Sequence, residues 1–108
     1  IYVPLDNTVA SALEGVIKVG HEADLPVYSA DTDSVERGTL AALGFDYYDV
    51  GRQTGRLVAR VLNGERPADL PVEAVEKLNL FLNLKAAAAM NVTVPEAVVR
   101  RAAKVIGE

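Results

Sequence analysis

Side chains able to bind or transform a small molecule gather at three points: Asp6-Asn7-Thr8, Asp31-Thr32-Asp33 and Asp46-Tyr47. The first triplet follows an apolar run and precedes an amphipathic stretch. A carboxylate, an amide and a hydroxyl therefore meet the unsatisfied N–H donors of a helix start, where a polar ligand can be held. Helix capping alone makes the same demand for Asp, Asn and Thr. Asp31 and Asp33 add two carboxylates suited to a ligand ammonium group through charge-assisted hydrogen bonds, and their structural alternative is to cap the turn through Ser34 to Arg37. Asp46 is a further acid for the same border. Tyr47 and Tyr48 offer either a stacking wall for an aromatic or heterocyclic ligand or one packed and one exposed ring.

Catalytic readings of these residues are weaker. An apolar strand ending in Asp-x-Asp-x-Val, as at residues 31–35, resembles the way haloacid-dehalogenase-type phosphatases present a nucleophile and a general acid to magnesium. Here no phosphate-gripping Lys follows in a matching context and no downstream acid pair completes such a site. Ser11, Ser29 and Ser34 have no evident base partner. His21, the single histidine, stands near an expected helix end without a second ligand at metal spacing. Arg52, Arg56 and Arg60 recur at i, i+4 on one helix face, a solvated stripe or a docking face. The chain is expected to be neither an enzyme nor a carrier of a metal or cofactor.

The elements that must position the three clusters are read from periodicity. Residues 1–5 read as a buried strand, and residues 7–23 as a helix with Val9, Leu13, Val16, Ile17 and Gly20 on one face and Asp6 or Asn7 as its cap. Leu25-Pro26 breaks the pattern before a second strand at Val27-Tyr28-Ser29. A right-handed parallel βαβ unit puts both strand exits on one edge, so Asp6-Asn7 and Asp31-Thr32-Asp33 are expected side by side. A third strand is expected over residues 39–43. A second helix runs to Leu62 from a cap at Asp49, with Gly64 and Pro67 as stop signals. Residues 66–77 read as a connector with a short edge strand at 72–75. Residues 78–82 form another strand, Asn83 caps a short helix closed by Asn91, and Val94-Pro95 opens a last helix bearing Val98, Val99, Ala102, Val105 and Ile106. The fold class is α/β, an open and mostly parallel sheet flanked by helices.

With 108 residues, 50% of them hydrophobic and 24% charged, the chain can bury one small core and stay in solution. Its formal charge of −4 is spread along the sequence, which argues against phosphate-backbone binding, so no nucleic-acid partner is expected. Cysteine is absent, and disulfides and thiol chemistry go with it. A first strand at Ile1, without Met, reads as the start of a fragment or processed chain.

The order of motifs resembles the ABC-type substrate-binding proteins for tryptophan or tyrosine uptake, which share a type I periplasmic-binding-protein fold. The likeness covers nearly the whole chain. It is carried by residues 2–9 (Tyr-Val-Pro-Leu-Asp-Asn-Thr-Val), by Asp-Thr-Asp-Ser-Val at 31–35, by Gly-Phe-Asp-Tyr-Tyr-Asp-Val-Gly-Arg-Gln-Thr-Gly at 44–55, and by Asn-Leu-Lys-Ala-Ala at 83–87. The resemblance implies a solute-binding component that closes by hinge motion on a small molecule, an amino acid, and docks on a membrane permease. It implies a periplasmic or extracellular location with a lipid anchor upstream. Residues 1–70 would be the second half of a C-terminal lobe, and 71–108 a crossover and return segment packing on an absent N-terminal lobe. Asp6, Asn7, Thr8, Asp31, Thr32, Asp33, Asp46 and Tyr47 are the expected ligand contacts. Leu80, Leu82, Val98 and Val105 are expected to need a surface outside this chain, with self-association as one outcome. The same fold also serves as the sensing module of transcriptional regulators.

Overall fold

Pro4 has no N–H to give to a ladder, so the first strand of the computed structural model, which describes residues 1–107, is short: β1 is Tyr2–Val3 rather than a five-residue run. Only Val3 is buried; Tyr2 is 66% exposed. The single expected helix over 7–23 is two helices, α1 (Asn7–Ser11) and α2 (Leu13–Glu22), parted at Ala12 with φ −116° and ψ 19°. Three-residue turns close the joint, from Ala12 N–H to the Val9 carbonyl and from Gly15 N–H to the Ala12 carbonyl, each 3.0 Å. Leu13, Ile17 and Gly20 form the buried stripe of α2.

β2 (Tyr28–Ser29) pairs parallel with β1, and β3 (Ala41–Gly44) pairs parallel with β2. Between them lies α3 (Ser34–Arg37), ended by Gly38 at φ 119°, a left-handed conformation suited to glycine. β4 (Asn79–Asn83) returns antiparallel to β3, and β5 (Lys104–Ile106) is parallel to β4. The order β1-β2-β3-β4-β5 is an open, mostly parallel α/β sheet, as expected from sequence.

Two stretches differ from expectation at the C-terminal end. After α5 (Leu84–Ala89), closed by Asn91 at φ 53°, the last helix is only α6 (Glu96–Val99). Val105 and Ile106 are strand residues, opposite Leu82 and Asn83. β-Branched side chains suit the ladder better than a helix end, and a bond from Ala103 N–H to the Leu80 carbonyl, 2.8 Å, leads the chain into it. Leu82 is 1% exposed within the core of Val3, Leu13, Ile17, Val27, Leu40, Ala87 and Met90, against which Leu80 and Val98 also pack. These side chains find their surface inside this chain.

By compactness the chain forms two units, one of Ile1–Gly44 together with Asn79 onward, the other Phe45–Leu78. The second contains α4 (Tyr47–Leu62), a 3₁₀ turn at Pro67–Asp69, and an extended stretch where a strand at 72–75 was expected. No ladder forms there. Gln53, the buried residue of α4, donates through Nε2 to Glu73 Oε2 (3.3 Å) and the Ala74 carbonyl (2.8 Å), and its Oε1 accepts from Glu76 N–H (3.2 Å). One side-chain amide thus takes the place of a neighbouring strand. At the far end of α4, Gly64 at φ 101° donates to the Val61 carbonyl, the stop read from the sequence.

Gly20 permits a close approach of α2 to the chain entering β2: a Cβ there would lie 2.5 Å from Val27 Cγ2 and 2.9 Å from the Leu25 carbonyl oxygen, whereas one on Gly15 would meet nothing within 4 Å. Gly20→Ala is expected to lower stability by about 1–3 kcal/mol through overpacking. Gly15→Ala is expected to be neutral or to stabilise by up to about 1 kcal/mol. Urea unfolding of the two variants checks the contrast.

Candidate functional site

The pairing of Tyr2 with Tyr28 and of Val3 with Ser29 makes β1 and β2 leave the sheet across the same border. Asp6 comes three residues after Val3 and Asp31 two residues after Ser29. The two acidic clusters therefore emerge side by side, as the βαβ reading requires. β3, parallel to β2, ends at Gly44 on that border as well.

Asp6 and Asp31 each hold their own loop. Asp6 Oδ1 accepts from Val9 N–H at 2.9 Å and the Asp6 carbonyl from Ala10 N–H, so Asp6 is the cap of α1 and Asn7 its first residue. Asp31 Oδ1 accepts from Asp33 N–H at 3.2 Å, closing an Asx turn, and Asp31 N–H donates to Ser29 Oγ at 3.0 Å. The capping use weighed against ligand binding is real, but it takes one carboxylate oxygen of each residue. The second oxygen of Asp6 and of Asp31 has no hydrogen-bond partner among the described residues. Asp6, Asn7, Thr8 and Asp33 are exposed and Asp31 is half-buried. Thr32 is 3% exposed, which makes it part of the loop's interior rather than its outer face.

A buried polar network that the sequence reading passed over fixes this loop. Ser34 Oγ donates to the Asp31 carbonyl and lies 3.0 Å from Thr39 Oγ1. Asn83 Nδ2 donates to the Val35 carbonyl at 3.0 Å, while its Oδ1 accepts from Ala86 N–H and caps α5. Among the described residues no buried side-chain N or O lacks a partner. Ser29 and Ser34, considered above as nucleophiles, hold backbone instead. Gly44 closes the loop from the β3 side, where a Cβ would come within 2.2 Å of the Ala30 carbonyl oxygen.

In the second unit Asp46, not Asp49, caps α4: its Oδ1 accepts from Tyr48 N–H at 2.7 Å. Tyr47 and Tyr48 consequently belong to the first turn of the helix and not to a loop. Tyr47, 62% exposed, meets Phe45 edge to face at 5.2 Å between centroids. Tyr48 lies under the Arg52 guanidinium at 6.0 Å. Arg56 pairs with Glu76 and Arg60 with Glu65, so the arginine stripe is occupied by partners on its own unit.

Comparison with known proteins places this geometry. The family model for ABC transporter substrate binding proteins matches residues 1–106. The chain belongs to that family. A tyrosine-binding protein of Clostridioides difficile is 35% identical over 83 residues, 77% of this chain and 24% of that protein. An uncharacterized protein of Rickettsia prowazekii is 26% identical over 74% of this chain and 26% of its own length. Among solved structures, a conserved domain protein from Vibrio cholerae superposes with TM-score 0.84 at 47% identity, covering 97% of this chain and 36% of that one. A Streptococcus pneumonia ABC domain in complex with L-Trp gives 0.84 at 38% identity, covering 98% and 36%. The chain thus spans about a quarter of the curated relatives and 36% of these structures.

Two exposed ion pairs tie α3, which follows the Asp31 loop, to its surroundings: Arg37 to Glu14 of α2 at 2.8 Å, and Lys104 of β5 to Glu36. The hydrogen bond from Arg37 holds the Glu14 carboxyl below its ordinary 4.5, and that from Lys104 does the same to Glu36. A lowered carboxylate stabilises the fold above the unfolded-state value and loses that effect as pH falls through the folded one. Glu14→Gln with Glu36→Gln is expected to be modestly less stable than the natural chain near neutrality, the difference shrinking as pH falls from 4.5 through the lowered folded-state values. Urea midpoints between about pH 3 and 7 check this, and parallel curves would contradict it.

Proposed function

We propose that this chain is the C-terminal portion of the solute-binding component of an ABC importer, which carries a small amino acid ligand, aromatic in side chain, to a membrane permease. The observation that carries the reading is the parallel pairing of β1 and β2, which sets Asp6-Asn7-Thr8 beside Asp31-Thr32-Asp33 on one border. A polar ligand with an ammonium group matches two half-committed carboxylates and the N–H donors of a helix start. The L-Trp complex of the streptococcal relative and the name of the clostridial one support the ligand class. Family membership supports transport without catalysis and a periplasmic or extracellular location. Asp46 and Tyr47 are proposed as further contacts on the strength of the sequence resemblance.

The amide of Asn can still accept the hydrogen bonds that Asp6 takes from Val9 N–H and Asp31 from Asp33 N–H, so Asp→Asn removes charge while sparing the turn. In the intact parent protein, L-Trp or L-Tyr is expected to raise the melting temperature and bind by calorimetry. Asp31→Asn and Asp6→Asn are each expected to weaken binding roughly tenfold or more, on the order of 1.5–3 kcal/mol for a lost hydrogen bond to a charged group, with the unliganded melting temperature little changed. Unaltered affinity in both variants would move the ligand away from this border.

A further inference from the structure

The residues that end α4 serve the fold and are also chemically labile. Asn63 alone among the asparagines is followed by glycine; Asn7 precedes Thr8, Asn79 precedes Leu80, Asn83 precedes Leu84 and Asn91 precedes Val92. In those four pairs a side chain crowds the backbone nitrogen that follows the asparagine. Asn79 and Asn83 are buried as well, the Asn83 amide being committed to the Val35 carbonyl and to Ala86 N–H, and Asn91 Nδ2 donates to Asp24 Oδ1 at 2.7 Å. Asn63 and Gly64 are exposed, and the Asn63 side chain has no hydrogen-bond partner among the described residues. A Cβ on Gly64 would meet nothing within 4 Å, so the approach to its nitrogen is open.

We propose that Asn63-Gly64 is a self-modification site, which converts in the folded protein to aspartyl and isoaspartyl forms at a rate gated by opening of the last turn of α4. Asparagine is among the thermolabile residues. The Gly64 amide nitrogen attacks Asn63 Cγ; a bond forms between them, the Cγ–Nδ2 bond breaks, and Nδ2 departs as ammonia with the proton that Gly64 gives up. Water then opens the cyclic imide. Addition at Cγ gives aspartate, and addition at the backbone carbonyl carbon gives isoaspartate, with the main chain routed through the side chain. Only water is consumed and no electrons are transferred.

The closed helix end resists this attack. Asn63 has φ −83° and ψ 6°, a rotation that holds the Gly64 nitrogen away from Asn63 Cγ. Gly64 N–H donates to the Val61 carbonyl at 3.0 Å and Glu65 N–H to the Arg60 carbonyl at 3.1 Å, and these bonds must yield as ψ turns to bring the reacting atoms together. Helix ends open at little free-energy cost, and the Arg60 to Glu65 ion pair that also spans this turn is solvent-exposed and adds little. The turn therefore slows the reaction without stopping it. It does not re-form unchanged, because the new carboxylate meets the negative end of the helix dipole and isoaspartate lengthens the backbone by a methylene. The inference makes no use of the ligand, and a protein that bound no amino acid would leave it intact.

The chain is incubated in mildly alkaline buffer at body temperature, folded and in guanidinium chloride, and the peptide that trypsin releases after Arg60 is weighed over time. That peptide is expected to gain one mass unit and to become a methyl acceptor for an isoaspartyl methyltransferase, roughly threefold or more slowly in the folded chain than in denaturant; Asn63→Gln is expected to do neither. No conversion in the folded chain while the denatured chain converts would overturn the inference, since the closed turn would then exclude the reaction. Equal rates in the two would overturn the gate, and equal conversion at Asn7 or Asn91 would overturn the assignment to the glycine pair. Amide exchange at residues 63–65 is expected to be faster in the converted chain than in the fresh one, and unchanged exchange would contradict the loss of the turn.

Discussion

Two backbone hydrogen bonds, from Tyr28 N–H to the Ile1 carbonyl at 2.9 Å and from Ala30 N–H to the Val3 carbonyl at 3.0 Å, lock β1 onto β2 in parallel register. Everything the border can do follows from that register. In a sheet the side-chain period is two, so a slip of one residue would turn Val3 out of the core and Tyr2 into it. It would also shift Asp6 by one residue against Asp31. The ladder is only two residues long, and its register is held by Val3 and Val27, buried at 4% and 0%, and by the tight seat of Gly20 on Val27.

The acids show how one side chain can hold a loop and still be open to the proposed ligand. Asp6, Asp31 and Asp46 each turn an oxygen back onto a backbone N–H two or three residues ahead, fixing the direction in which the chain leaves its strand. A carboxylate has capacity for more than one donor, so capping a loop does not use it up. Preorganisation is the gain: a ligand meeting these groups need not order the loop first. The network of Ser34, Thr39 and Asn83 extends the same rigidity inward, joining the Asp31 loop to the start of α5.

The parallel βαβ unit, the acids at the strand exits, and the ends of α4 and α5 at Gly64 and Asn91 were legible because each rests on local chemistry: periodicity, capping and left-handed backbone. What was not legible depended on partners distant in sequence. Asp46 and Asp49 both suit an N-cap, and only the bond to Tyr48 N–H decides between them. Val105 and Ile106 fit a helix face by spacing, and their pairing with β4 makes them a strand. Gln53 looks like an ordinary helix-surface residue until residues 73–76 are placed against it. The burial of Thr32 similarly could not be read from its place between two exposed or half-exposed acids.

The most direct measurement is a titration of the isotope-labelled parent protein with L-Trp followed by backbone amide chemical shifts. If one guest lies against both loops, the amides of residues 6–9 and of residues 31–34 move together with a single saturation curve. Shifts confined to one of those loops, or concentrated on Tyr2, Tyr28 and Leu43 across the sheet face, would contradict a shared binding border.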